Sequence, residues 1–226
     1  KVFTYNIRTD SVYRVMHAYR HMRAYRRDIQ AVCDSLVFNG QDSVMTMYHD
    51  PILWQEGQQL LGEEIKAFFN DSTIDSVQVL RQALSVERLD SIHYNQITGN
   101  EMHTYFRDGE VYLSTSIGNV YVNYFHMGED SILADMNRTE TTFLKIFLKD
   151  RKVDKIWMPA ATGSFYPIPL IPADMLYVEN FAWFDYVRPV DKHDIFEWRP
   201  KKAGSELKKI TRREAPKQKL SNIKKK

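Results

Sequence analysis

The 226-residue chain is 43% apolar and 13% aromatic, which supports a substantial core in one large all-β domain or two small ones and excludes wholesale disorder. It has no apolar run of about 18 residues, so no transmembrane helix is expected. The net charge of +2 conceals an acidic body and a basic end: Arg199 to Lys226 carries 12 Lys/Arg against 2 Asp/Glu.

The opening, KVFTYNIRTDSVYRV, is charged and alternating. It has no signal-peptide character and reads as a strand entered midway, as expected of a mature or truncated fragment. Val12–Arg27 alternates as a strand, with Met16, Ala18, Met22 and Ala24 on one side and Tyr13, His17, Tyr19, His21, Arg23 and Tyr25 on the other. Cys33 is the single cysteine. It can make no internal disulfide and reads as a buried thiol.

The middle of the chain repeats itself. Gln59–Asp71, QLLGEEIKAFFND, returns 37 residues later as Gln96–Asp108, QITGNEMHTYFRD, with Gln, Gly, Glu, an aliphatic, an aromatic pair and a closing Asp in register. A fainter copy, Gln30–Asp42, has Cys33 in the Gly place and Leu36 where Ile65 and Met102 stand. Repetition at this period signals stacked supersecondary units that bury their apolar faces against one another. Asp-Ser-aliphatic triplets at Asp34, Asp42, Asp75, Asp90 and Asp130 read as turns that open strands. Between them lie short expected strands at Val44–Tyr48, Ile52–Gln55, Glu64–Phe69, Ser76–Leu80, Glu101–Phe106, Glu110–Ser114, Asn119–Phe125 and Phe143–Leu148. This is the grammar of a sandwich, jelly roll or solenoid.

Alternation sorts the faces. Leu36, Phe38, Ile65, Ala67, Phe69, Met102, Thr104 and Phe106 share a dry face, continued by Val111, Leu113, Val120, Val122, Tyr124, Leu144, Ile146 and Leu148, while Lys66 and His103 point outward. The four prolines of MPAATGSFYPIPLIP forbid a central strand and favour an extended, edge-covering segment. ADMLYVENFAWFDYVRP suits a short amphipathic helix or a strand pair equally. These shifts divide the chain into a β body (1–158), a Pro/aromatic extension that packs on it (159–198) and a basic, flexible tail (199–226).

Chemistry is sparse. Glu63 and Glu64 are adjacent on a strand and face opposite ways, and Asn100 stands in the Glu63 place of the repeat, so no glycosidase pair is kept. His17 and His21 have zinc spacing only on a helix, and no third ligand accompanies them. No nucleophile elbow or phosphate-cradling Gly motif occurs. The expectation is a protein that is not an enzyme and uses no metal or cofactor. The basic tail suits nucleic acid, an anionic membrane surface or lipid phosphates, or acts only as a solubilising end; it lacks stacking aromatics, and nucleic acid is not expected as a partner.

Gly62-Glu63-Glu64-Ile65, Gly99-Asn100-Glu101-Met102 and Gly118-Asn119-Val120-Tyr121-Val122 resemble the turn-and-strand motifs of the OstA-like, LptA-type family of lipopolysaccharide transport. Tyr25–Gln30, Cys33–Leu36, Asp50–Trp54, Tyr94–Gly99 and the stretch from Arg188-Pro189 to Asp194–Phe196 resemble the longer OstA-like proteins of Bacteroides-type bacteria. The resemblance runs from Tyr19 to Phe196. It implies a twisted, open, taco-like β-jelly roll of two antiparallel sheets and a periplasmic, outer-membrane-associated bridge component, peripheral to the membrane. Lipopolysaccharide acyl chains would lie in a groove lined by Leu36, Phe38, Ile65, Phe69, Met102, Phe106, Val111, Leu113, Val120, Val122, Leu144 and Ile146. Partners would be other jelly rolls, or further copies of itself, joined end to end through edge strands. The competing expectation is a structural scaffold with a closed core and no lipid; a carbohydrate-active solenoid would need clustered exposed carboxylates.

Overall fold

The structure, a computed structural model, describes residues 2–6, 12–71, 73–128 and 132–202. Thirteen strands follow one another: β1 Val2–Asn6, β2 Val12–Tyr25, β3 Ile29–Asn39, β4 Val44–Tyr48, β5 Ile52–Gln55, β6 Gln58–Leu61, β7 Glu64–Asn70, β8 Thr73–Arg88, β9 Tyr94–Arg107, β10 Glu110–Met127, β11 Leu133–Lys149, β12 Lys152–Trp157 and β13 Ala161–Pro167. All pairings are antiparallel and belong to one sheet, ordered β1-β2-β3-β4-β7-β8-β9-β10-β11-β12. The fold is all-β and of the open jelly-roll kind expected, with the two expected sheets continuous through their long strands.

A crease makes two layers from one sheet. Residues 35–39 of β3 pair with β4, whereas 29–32 pair with β5. Residues 73–80 of β8 pair with β7, whereas 84–87 pair with β6. Likewise 145–149 of β11 pair with β12 and 135–141 with β13. Ladder shifts mark the crease at Tyr19/Met22, Leu80/Ala83 and Ile117/Val120. The intervening residues, Arg20 and His21, Arg81 and Gln82, Gly118 and Asn119, all have positive φ. Such bulges bend a strand sharply without ending it. We call the β4–β7–β12 side the upper layer and the β5–β6–β13 side the lower layer.

This corrects the expected punctuation. Ser76–Leu80, Glu101–Phe106, Glu110–Ser114, Asn119–Phe125 and Phe143–Leu148 are halves of strands of 14 to 18 residues. Asp34-Ser35 and Asp75-Ser76 lie inside β3 and β8, while Asp42-Ser43 and Asp90-Ser91 do sit in turns. The Asp130 triplet begins outside the described residues, as does the tail beyond 202. The repeats coincide with the crease: Gly62 and Gly99 lie on it, and a Cβ on Gly62 would collide with Val79 Cγ1. The bulge in β2 separates His17 from His21, whose ring instead stacks on Trp198 at 3.9 Å between centroids.

Two cores result. Between the layers Ala31, Cys33, Leu36, Met47, Leu53, Ile65, Ala67, Val77, Val79, Ala83 and Met102 form one apolar cluster. The second lies on the far side of the lower layer, where Val32, Ile52, Trp54, Leu61, Leu84, Val86 and Tyr94 are covered by Val178, Phe184 and Val187. The cover is a strap, residues 171–200. It is neither the amphipathic helix nor the strand pair expected: single 3-10 turns at Asp185–Val187 and Asp194–Phe196 and other tight turns satisfy part of its backbone, and side chains of the sheet satisfy more. In cross-strand register, Gln30, Trp54, Gln59, Val86, Gln96, Asn123 and Arg138 form one row across the lower layer. The strap follows that row. Arg138 and Asn123 donate to the Met175 carbonyl (2.8 and 3.0 Å), and Arg188 Nε donates to Gln30 Oε1 (2.8 Å). β13 is an edge strand paired with β11, in keeping with Pro167 at its end and the prolines that flank it.

Candidate ligand groove

The space between the layers is unevenly filled. Towards β3, β4 and β7 the side chains meet and exclude solvent: Met47 and Ile65 are fully buried, and Phe38 packs edge-on against Phe69 at 6.1 Å. Towards β9–β13 the layers diverge around a cavity of about 830 Å³. Its apolar walls come from Met102, Phe106, Val111, Leu144, Ile146 and Leu148 above and Leu53, Leu60, Ile97 and Val122 below. Val153, Ile156 and Phe165 line it at the β12/β13 edge and are 53%, 51% and 71% exposed, so the cavity reaches the surface there.

Strand parity places these walls. Ser114 and Ser116 of β10 pair with Thr104 and Met102 of β9, and with Ile146 and Leu144 of β11, so all of them face inward. The result is an apolar groove with a hydroxyl stripe along it, in which Thr104 Oγ1 and Ser114 Oγ lie 3.5 Å apart. Thr139 donates to Asn137 on the lower wall, which satisfies two groove-facing polar groups locally.

Of the twelve residues expected to line a lipid groove, Met102, Phe106, Val111, Val122, Leu144 and Ile146 line the cavity. Leu36, Phe38, Ile65 and Phe69 face inward but lie in the filled half. Val120 is fully buried beside the crease. Leu113 corrects the expected parity: a ladder shift between Val111 and Leu113 inserts Tyr112, and Leu113 then pairs with Tyr105 and Phe147 on the outer face. Leu53, Leu60, Ile97, Ile156, Met158 and Phe165 were missed. Alternation marks them as apolar faces of strands, but only the crease decides which face meets the cavity.

At the tips of the walls charge appears. Arg151, in the β11–β12 turn, reaches Glu110 of the upper layer at 3.1 Å and Glu56, in the β5–β6 turn of the lower layer, at 3.2 Å. Glu87, His126 and Asp135 also line the cavity, on its lower wall. Glu64, at the crease, is desolvated by burial, yet hydrogen bonds from Arg81 and Lys66 hold its carboxyl below the usual range. Cys33 is a thiol that burial pushes up to about 12, aided by the charge of Asp34, so it is inert as a nucleophile. Among the described residues no three His, Cys, Asp or Glu side chains cluster as metal ligands.

These features define an all-β protein with a surface-reaching apolar groove between the halves of a creased sheet. No protein-family model matches the chain, and no curated protein matches it. Among solved structures it is similar to LptH of Pseudomonas aeruginosa, the LptA-homologous periplasmic component of the lipopolysaccharide transport device. The likeness has a TM-score of 0.44 and 13% identity over 61% of this chain and 93% of that one.

Proposed function

We propose that this protein is a non-enzymatic carrier that holds the acyl chains of an amphiphile between its two layers. The observation that carries the reading is the cavity of about 830 Å³, walled by aliphatic side chains and open at the β12/β13 edge. A scaffold with a closed core would fill that space as the β3–β7 half is filled, because unfilled apolar volume forfeits packing energy. Each methylene seated there contributes about 0.8 kcal/mol. The hydroxyl stripe tolerates a ligand with polar branches near its tails.

Lipopolysaccharide is the amphiphile in this reading, because Gly62–Ile65, Gly99–Met102 and Gly118–Val122 resemble the LptA-type motifs. The same resemblance supports a periplasmic bridge role, with edge strands such as β12, exposed along its whole length, as docking edges. The test is native mass spectrometry of the protein incubated with lipopolysaccharide. The reading expects a saturable one-to-one adduct that M102R and I146R abolish; an adduct of equal abundance in those variants contradicts it.

A further inference from the structure

The groove's lips carry a charged device that its apolar walls do not require. Arg151 bridges the layers by contacting Glu56 at 3.2 Å and Glu110 at 3.1 Å, and all three residues line the cavity. Arg151 and Glu56 are 67% and 64% exposed at the side chain, so the contact can exchange with solvent ions.

The backbone at Arg151 is as informative as its side chain. The β9–β10 turn carries Asp108 and Gly109 at φ 54° and 82°; the β11–β12 turn carries Asp150 and Arg151 at φ 52° and 61°. Arg151 therefore stands where the neighbouring hairpin uses glycine, in a left-handed conformation that strains a side-chain-bearing residue. Strain kept where glycine would relieve it is a reason to look for a role. The flanking Lys149 and Lys152 are cross-strand partners, which adds positive charge on both sides of the turn.

The geometry points to Arg151 as the headgroup contact of the groove: an exchangeable clasp that releases Glu56 and takes a phosphate of the amphiphile whose tails lie between the layers. An amphiphile in the cavity has its polar end at a lip, and a guanidinium pairs a phosphate through two parallel hydrogen bonds more strongly than it holds an exposed carboxylate. Exchange of Glu56 for phosphate unties the layers as the ligand arrives and reties them when it leaves, so loading and opening are coupled. This rests on the carrier reading above.

The experiment compares dodecyl phosphate, dodecanol and inorganic phosphate as competitors of a bound fluorescent fatty probe, for the full chain and for E56Q, R151Q and R151G. R151G keeps the turn, since glycine suits its backbone. The expected result is that E56Q tightens dodecyl phosphate by up to about fivefold and R151Q and R151G weaken it about tenfold. Dodecanol should be unchanged throughout, and inorganic phosphate should not compete. Equal responses of dodecyl phosphate and dodecanol in every variant overturn the clasp while leaving the groove. Competition by inorganic phosphate alone places a free-anion site at the lip and overturns the headgroup role. If dodecanol fails to bind the unaltered chain, the groove falls and the clasp with it.

Discussion

Gln59 and Gln96 occupy the same place in the sequence repeat and make the same pair of hydrogen bonds to the strap. Gln59 Nε2 donates to the Ala182 carbonyl at 3.0 Å while its Oε1 accepts from the Phe184 N–H at 2.8 Å. Gln96 Nε2 donates to the Leu176 carbonyl at 3.0 Å while its Oε1 accepts from the Val178 N–H at 2.8 Å. Each amide thus acts as a short piece of strand edge, satisfying a carbonyl and the N–H two residues on. Both are fully buried: truncation of Gln59 strips its partner from the Ala182 carbonyl, the Phe184 N–H and the Trp54 indole N–H, and truncation of Gln96 strips it from the Val178 N–H and leaves the Leu176 carbonyl with Asn123. Q59A and Q96A are each expected to cost about 1–3 kcal/mol in urea unfolding. Amide exchange should accelerate in 176–184 before it does in β7.

The strap's far end is pinned by a buried ion pair. Arg23 Nη2 lies 3.2 Å from Asp194 Oδ2, with the two side chains 1% and 5% exposed, and Arg199 also pairs with Asp194. Burial lowers the Arg23 pKa, and the charge of Asp194 opposes that shift. D194A is expected to destabilise by about 3–5 kcal/mol, because it strands a buried guanidinium. The double variant R23M/D194L should recover most of that loss. Chemical denaturation of the two variants side by side is the check.

Acid should loosen the β8–β9 turn. Burial pushes the Asp90 carboxyl up, but hydrogen bonds from His93 and from the backbone N–H groups of Ile92 and His93 outweigh it and bring the carboxyl to about 2. A depressed carboxyl contributes stability above its unfolded value of about 3.9 and loses it as pH falls through the folded value. Asp90 is nearly half exposed, so solvent screens the effect. The stability difference between the unaltered chain and D90N, read by urea titration, should therefore be small and constant above about pH 4 and shrink between pH 4 and about 2.

Cys33 reports opening of the closed half. Its thiol is 2% exposed and held near 12, so it should resist iodoacetamide at pH 8 in the folded protein and react only through unfolding. Labelling followed by mass spectrometry across a urea series should track the unfolding curve; prompt labelling in buffer would show that the β3–β4 half opens on its own.

Much of this is legible in the sequence, and the exceptions lie where strands bulge or fold over the crease. Ile65, Ala67, Met102 and Phe106 declared their inward face because alternation holds along an unbroken strand. Leu113 was misplaced because one inserted residue, Tyr112, reverses parity and leaves no compositional mark. The repeat and its Gln are visible in the sequence, but their purpose is not, because the strap groups that Gln59 and Gln96 bind lie 80 to 125 residues further along the chain. Val12–Arg27 reads as one strand, and β2 is one in spite of the bend at Arg20-His21, whereas β10 reads as two because Gly118-Asn119 looks like a break and is a bulge inside one strand. The groove's position depends on which halves diverge, a property of the crease and not of any one strand.

The central claim is that acyl chains lie between the layers on the β9–β11 side. A photoreactive residue placed singly at Met102, Ile146, Leu148, Ile65, His103 or Lys145, followed by irradiation with lipopolysaccharide, tests it directly. The account predicts lipid adducts from positions 102, 146 and 148, and none from 65 in the filled half or from 103 and 145 on the outer face. Adducts from 103 and 145 with none from 102, 146 and 148 would contradict it.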